Sequence, residues 1–302
     1  MSRFIHSTIV PNVAITAGTV TTYDLPVNPL SHINLTLRCL NATNEATMAN
    51  LLAAITTVEV LFKGSAVVSI SGPDLYALDR FLLGRAPTLD NLVATDNAVR
   101  WITLPILLGR IPYLPAEAFP ASQRGSLQLR ITWAAAFTNF DGLYLLVQSV
   151  ELPEAAPDRF LKYTTLTQTS VIGQNDIELP IGNKMHAIMT YQTTKPTTTS
   201  WNATIAEYCL LADNTQIYYT DEEWEDARGQ LQLFTDPYHH IEAGAPLTTG
   251  DVAAYLWGIL DVLKDGQYIL DTAGLASLIL RYVADDAAAI RVIPVELLTV
   301  AA

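Results

Sequence analysis

Five histidines are the residues of this chain best suited to hold a metal or move a proton: His6, His32, His186, His239 and His240. The run Tyr238-His239-His240-Ile241-Glu242 offers two imidazoles and a carboxylate, donor types that a divalent metal accepts. Adjacent histidines on an extended chain point to opposite sides, however, and no HxH or HExxH spacing accompanies them, so no metal site is expected. His32 and His186 follow the similar phrases Asp24-Leu25-Pro26-Val27 and Glu178-Leu179-Pro180-Ile181 at the same distance. That predicts one fold position used twice, rather than a catalytic pair.

Other chemistry is equally hard to place. No GxSxG elbow, Walker loop or dinucleotide fingerprint occurs. The acidic runs TDEEWEDAR (220–228) and DDAAA (285–289) read as a helix start and a solvated turn, and single out no acid/base pair. Cys39 and Cys209 form no CxxC pair and are expected as small core residues. The Asn-x-Thr triplets at Asn34, Asn41 and Asn202 are acceptors only in a secretory pathway. No catalytic, cofactor-binding or metal-ligating residue is therefore assigned, and no cofactor is expected.

The charge balance excludes another class. With 17 Lys+Arg against 30 Asp+Glu the formal charge is −13. A surface that grips phosphates needs clustered cations to replace counterions, so direct sequence-specific nucleic-acid binding is not expected. Half of the 302 residues are hydrophobic and 16% are charged, a balance that predicts extensive buried surface, subunit contacts included. The longest apolar stretches, such as 253–263, are broken by charge well short of the ~20 residues of a membrane span. The opening MSRFIHSTIVPNVAITAG lacks a continuous apolar core and reads as a retained extended arm, with a frayed terminus or an extra edge strand as the alternatives.

The elements that would position these residues come in duplicate. VQSVEL (147–152) returns as VIPVEL (292–297), Ser126-Leu127-Gln128-Leu129-Arg130 as Ser277-Leu278-Ile279-Leu280-Arg281, and Glu59 in TTVEVLFKGS aligns with Glu207 in TIAEYCLLAD. With the two acidic-Leu-Pro phrases these make four collinear matches, the mark of an internal repeat. Residues 153–159, PEAAPDR, have the composition of a connector. The predicted organisation is an N-terminal arm plus first unit at 1–152, a linker at 153–159 and a second unit at 160–302.

Both units read as short strands. In the first, 33–40, 56–62, 66–71, 126–133 and 143–152 are rich in Val, Ile, Thr and aromatics; in the second, 176–181, 186–192, 203–211, 215–220, 276–283 and 289–298 are. Alternation puts Leu127, Leu129 and Ile131 on one face. A helix follows the strand ending near Ser71, with Leu75, Leu78 and Leu82 at helical spacing, Pro73 in its first turn and Gly84 as its cap. Its counterpart is expected to start at Thr220, which has capping-box spacing to Glu223. A second helix is expected over 250–264, with Val252, Leu256, Ile259 and Leu263 on one face.

About eight short strands per unit, with a helix inserted after the third or fourth, describe an all-β chain of two tandem eight-stranded antiparallel jelly-roll sandwiches with short inserted helices. With DLPVNPLSHINLTL, ITTVEVLFKGSAVVSISGPDLYAL, FPASQRGSLQLRITW and the closing VIPVEL, the chain resembles the double jelly-roll major capsid proteins of tailless icosahedral double-stranded DNA viruses, bacteriophages included. The resemblance implies a non-enzymatic structural protein, made in the host cytoplasm and located in the virion. It implies homotrimers of six-sided outline that tile a shell. The implied partners are further copies of the chain, neighbouring capsomers, and penton and minor capsid proteins, with room for an internal viral membrane. The loops 84–98 and 234–250 are candidates for outward-facing surface.

Two competing tandem sandwiches make different demands. A bicupin-like enzyme needs histidine-rich metal strands, which are missing here. A carbohydrate-binding module needs exposed aromatics on one sheet face, for which Trp201, Tyr218, Tyr219 and Trp224 are the nearest candidates, although they read mainly as core or interface.

Overall fold

The computed structural model describes residues 3–44, 46–85, 89–90, 97–196, 200–233 and 254–300. The chain divides into two compact units, Met1–Lys162 with Thr299–Ala302, and Tyr163–Leu298.

The first unit contains β1 (Ile5–Ile15), β2 (Val20–Asp24), β3 (Leu30–Asn41), α1 (Met48–Ala53), β4 (Ile55–Phe62), β5 (Ser65–Ile70), α2 (Gly72–Leu83), β6 (Leu89–Asp90), β7 (Val99–Leu107), β8 (Leu127–Trp133) and β9 (Phe140–Glu151). One sheet runs β1-β9-β3-β7-β6 and the facing set runs β5-β4-β8-β2. Alternation decides which side of each strand is buried: along β8, Leu127, Leu129, Ile131 and Trp133 are buried while Gln128, Arg130 and Thr132 are not. Residues 5–15, read as an arm, pair with β9 as the edge strand of their sheet.

β10 (Arg159–Thr164) carries the chain across the boundary. The second unit continues with β11 (Leu166–Thr169), β12 (Gly173–Glu178), β13 (Lys184–Gln192), β14 (Glu207–Ala212), β15 (Thr215–Glu223), α3 (Trp224–Gln230), β16 (Tyr255–Ile259), β17 (Leu270–Asp271), β18 (Leu278–Ala284) and β19 (Ala289–Thr299). One set of strands runs β16-β13-β19, with β11 also on β19 and β17 also on β13; the other runs β12-β18-β14-β15. The order β2-β8-β4-β5 thus recurs as β12-β18-β14-β15, and β1-β9-β3-β7 as β11-β19-β13-β16. Ladders within both units are antiparallel. Each unit is an eight-stranded jelly roll with minor additions, its core made by both sheets; in the second it includes Ile177, Ile188, Leu210, Leu256, Leu280 and Val292.

α2 forms where the sequence places it. Ser71 caps it by accepting from the Asp74 amide at 3.3 Å, Pro73 lies in the first turn, and Gly84 closes it at φ 70°, which glycine adopts without a Cβ clash. Gly72 is fixed by packing, since a Cβ there would meet the Leu52 carbonyl oxygen at 2.2 Å. α1 escaped the sequence reading because its capping box pairs Thr47 with Asn50 in place of the usual Glu or Gln.

Two helix expectations change. α3 begins at Trp224, not Thr220: Thr220 belongs to β15, and Glu225 and Asp226 supply the acidic first turn. In the stretch 250–264, residues 250–253 lie outside the described ones, and Tyr255–Ile259 form a strand paired with β13. Tyr255, Leu256 and Trp257 are all buried, so the run is apolar all round, and a short run of that kind satisfies helical spacing without being a helix.

Candidate functional site

The strand registers turn the repeated phrases into repeated contacts. Glu151, from VQSVEL, faces Leu30 across β9 and β3; Glu296, from VIPVEL, faces Met185 across β19 and β13. Both glutamates are buried, and each accepts a 2.7 Å hydrogen bond from an asparagine that precedes the facing strand: Asn28 Nδ2 to Glu151 Oε2, and Asn183 Nδ2 to Glu296 Oε1. Ser7 of the edge strand also donates to Glu151. A buried carboxylate without such donors costs several kcal/mol of desolvation, which gives the Glu of VEL a physical reason to recur with its asparagine.

The residue after each facing position is left over in a bulge, Ser31 in the first unit and His186 in the second. The backbone confirms the match: the Leu108 amide donates to the Ser31 carbonyl at 3.1 Å, and the Leu260 amide to the His186 carbonyl at 3.1 Å. His186 therefore answers to Ser31, not to His32 as the phrase spacing suggested; the stretch from the acidic-Leu-Pro phrase to the bulge is one residue longer in the second unit. Ser31 Oγ accepts from the Tyr113 amide at 2.8 Å, whereas His186 Nδ1 lies 3.7 Å from Asp261 Oδ2, both side chains being buried. The two units fill one position with different chemistry.

The arginines of the SLxLR phrases behave similarly. Arg130 grips Glu59 through Nε at 2.7 Å and Nη2 at 2.8 Å, and Arg281 grips Asp176 at 2.8 Å through both atoms. Glu59 lies on β4, but Asp176 lies on β12, on the other side of its arginine strand. On the β4 side, the position facing Arg281 belongs to Cys209, so Glu59 corresponds to Cys209 and not to Glu207. The Arg281 guanidinium holds the Asp176 carboxyl below its usual range.

The first unit also buries a full ion pair. Arg110 donates through Nε to both Glu117 oxygens at 3.1 and 3.0 Å and through Nη2, with Arg159 Nε 3.7 Å away. Backbone bonds from Ala118 to Arg159 and from Leu161 to Leu108 tie the same segment down. Residues 158–161, which overlap the end of the sequence-predicted linker 153–159, are thus hydrogen-bonded into the first unit.

A cleft of about 690 Å³ in the second unit is lined by the acidic run, including Asp221, Glu222, Glu225 and Asp226. Two of these carboxylates are already engaged. Asp221 accepts from Gln216 at 3.0 Å. Glu222 accepts from Gln230 at 2.6 Å and from the Tyr208 hydroxyl at 3.4 Å, and burial pushes its carboxyl up. Burial also pushes the Tyr208 and Tyr219 phenols up, so neither is a proton acceptor near neutrality. The arrangement packs α3 against β15.

The remaining sequence candidates do not converge. His239, His240 and Glu242 lie outside the described residues, as do 234–250 and most of the 84–98 loop. Among the described residues, no cluster of three His, Cys, Asp or Glu could hold a metal. Of the four aromatics, Trp224 is buried and Tyr219 turns its hydroxyl inward to Ile259, while Trp201 and Tyr218 are exposed. Cys39 and Cys209 are buried, and burial pushes the Cys39 thiol up to about 11.

No protein-family model and no curated protein matches the chain. Solved structures do match. The major capsid protein P2 of bacteriophage PM2 superposes with a TM-score of 0.65 at 14% identity, covering 100% of this chain and 98% of that one. A chain of Sulfolobus turreted icosahedral virus gives 0.70 at 15%, covering 98% and 91%. A chain of the PBCV-1 virus capsid gives 0.64 at 9%, covering 98% and 94%. The sheet orders and these full-length superpositions together establish that the chain has the double jelly-roll fold of viral major capsid proteins.

Proposed function

We propose that this chain is the major capsid protein of a tailless icosahedral virus, three copies of which form a pseudo-hexameric capsomer that tiles the shell. The observation that carries this reading is the repetition of one eight-stranded roll, with identical strand order, over the whole length shared with known capsid proteins. A trimer of duplicated rolls offers six similar faces. Six-sided tiles close-pack, and the two rolls of each chain can diverge to make different lateral contacts. The differing occupants of the bulge, Ser31 and His186, and the different carboxylates on Arg130 and Arg281 are internal divergence between the two rolls, consistent with that freedom. Closed symmetric assembly also covers strand edges that would otherwise template open-ended pairing.

In this reading the role is architectural and not catalytic, and the two rolls act as separate domains joined near 153–159. Its partners are copies of itself, then penton and minor capsid proteins, with an internal membrane compatible beneath the shell. Light scattering of the purified chain is expected to give a trimer or larger particles, and electron microscopy of assembled material to show hexagonal capsomers. A stable monomer at every concentration would contradict the proposal.

A further inference from the structure

His6 on β1 and His32 on β3 both stand opposite Val150 of the intervening β9, so the two imidazoles and the valine form one row across three strands. Neighbouring strands lie ~4.8 Å apart, which places the two histidines next but one to each other on the same sheet face. Tyr113 lies over the row. Its ring centroid is 5.2 Å from that of His32 and 6.4 Å from that of His6, its hydroxyl is 3.3 Å from His6 Nε2, and Phe4 packs edge-on at 5.2 Å.

Tyr113 is held there at some cost. Its φ of 65° is strained for a residue with a side chain, and its amide is fixed by Ser31 Oγ, which also touches His32 Nδ1 at 3.0 Å. Among the described residues, this end of β1 is also held by the Ser7 bond to Glu151, the exposed Arg3–Glu154 pair at 3.8 Å and the ladder to β9.

We infer that the His6–Val150–His32 row under Tyr113 is a proton-operated latch, which holds β1 against β9 near neutral pH and releases it in acid.

The charged groups around the row already have hydrogen-bond or ion-pair partners, and these bonds do not run to either imidazole. Glu151 is engaged by Ser7 and Asn28, Arg110 and Glu117 are bound to each other, and Arg3 lies with Glu154; on β7 the position beside His32 is Leu107. Protonation therefore sets two cations on one sheet face, one of them buried. It also removes the lone pair through which a ring nitrogen can accept from Ser31 or Tyr113. The His32 pKa agrees, being lowered to about 4 by burial and then by His6. An unfolded imidazole takes its proton near ~6.5, so the contribution of His32 is present above that pH and is lost as the pH falls towards about 4.

Hydrogen exchange of the full-length chain, in the assembly it forms, tests this near pH 7.5 and pH 4.5 after correction for intrinsic rates. Amides of Ile5–Ile15 are expected to lose about tenfold or more in protection at the lower pH while those of β3 and β7 keep theirs. His32→Gln is expected to keep β1 protected in acid. His6→Gln, at an exposed position, is expected to reduce the loss at least about threefold and keeps the test open if His32→Gln does not fold. Unchanged protection of β1 in acid, equal loss in β1 and β3, or the same loss in wild type and His6→Gln would each overturn the latch.

Discussion

Glu296 accepts a 2.7 Å hydrogen bond from Asn183, and the same bond joins Glu151 to Asn28 in the other half of the chain. A sequence phrase repeated for no visible reason is thereby explained by a carboxylate that needs a donor once it is buried.

The clasp predicts the first outcome. Replacing either glutamate by alanine removes the acceptor of a half-buried asparagine amide, so Glu151→Ala and Glu296→Ala should each lower unfolding stability by roughly 0.5–1.5 kcal/mol. Glu→Gln should cost less, because the amide oxygen still accepts. Denaturant titration of the four variants checks the order.

Asp79, on α2, gives a pH prediction. It is 1% exposed, and neither carboxylate oxygen has a hydrogen-bond partner among the described residues, so burial raises its pKa well above the usual value. The unfolded carboxyl titrates near ~3.9. The folded state therefore binds the proton more tightly: stability is greatest below that pH and falls as the pH rises towards the folded pKa. Asp79→Asn should flatten this slope and raise stability at pH 7 by roughly 1–3 kcal/mol, read from melts across the pH range. An unchanged slope would count against Asp79 as its source.

Breaking the Arg110–Glu117 pair should be severe. Arg110 and Glu117 side chains are both 2% exposed, so Glu117→Ala strands a buried cation, at a cost of roughly 3–5 kcal/mol. The double change Arg110→Met with Glu117→Leu should recover most of that loss. Chemical denaturation of the single and double variants separates the charge effect from packing.

Gly72→Ala should cost roughly 1–3 kcal/mol by overpacking, because the new methyl would enter the space of the Leu52 carbonyl oxygen. Gly229→Ala, whose added Cβ meets nothing within 4 Å, is the control and should leave the melting temperature unchanged or raised.

Much of the architecture was legible because jelly-roll strands with one buried face leave a period of two, as in SLQLRITW, and because duplication lets one half check the other. The helix after Ser71 was readable from its cap, proline and closing glycine. The stretch 250–264 was not, since a strand buried on both faces loses the alternation that identifies it. β1 was legible only as an alternative to an arm for the opposite reason: it is an exposed edge strand whose pairing with β9 depends on partners 128 to 146 residues away.

The sequence by itself determined the duplication, the all-β class and the absence of a recognisable catalytic motif, because local alternation, turn residues and repeated phrases are properties of the chain read in order. Only the tertiary structure decided which residues correspond. One extra residue between the acidic-Leu-Pro phrase and the bulge brings His186 into register with Ser31 and not with His32, and Arg281 turns to Asp176 where Arg130 turns to Glu59. Register and side-chain partners are set by strands brought together from distant parts of the chain, and a one-residue slip moves every side chain to the other face.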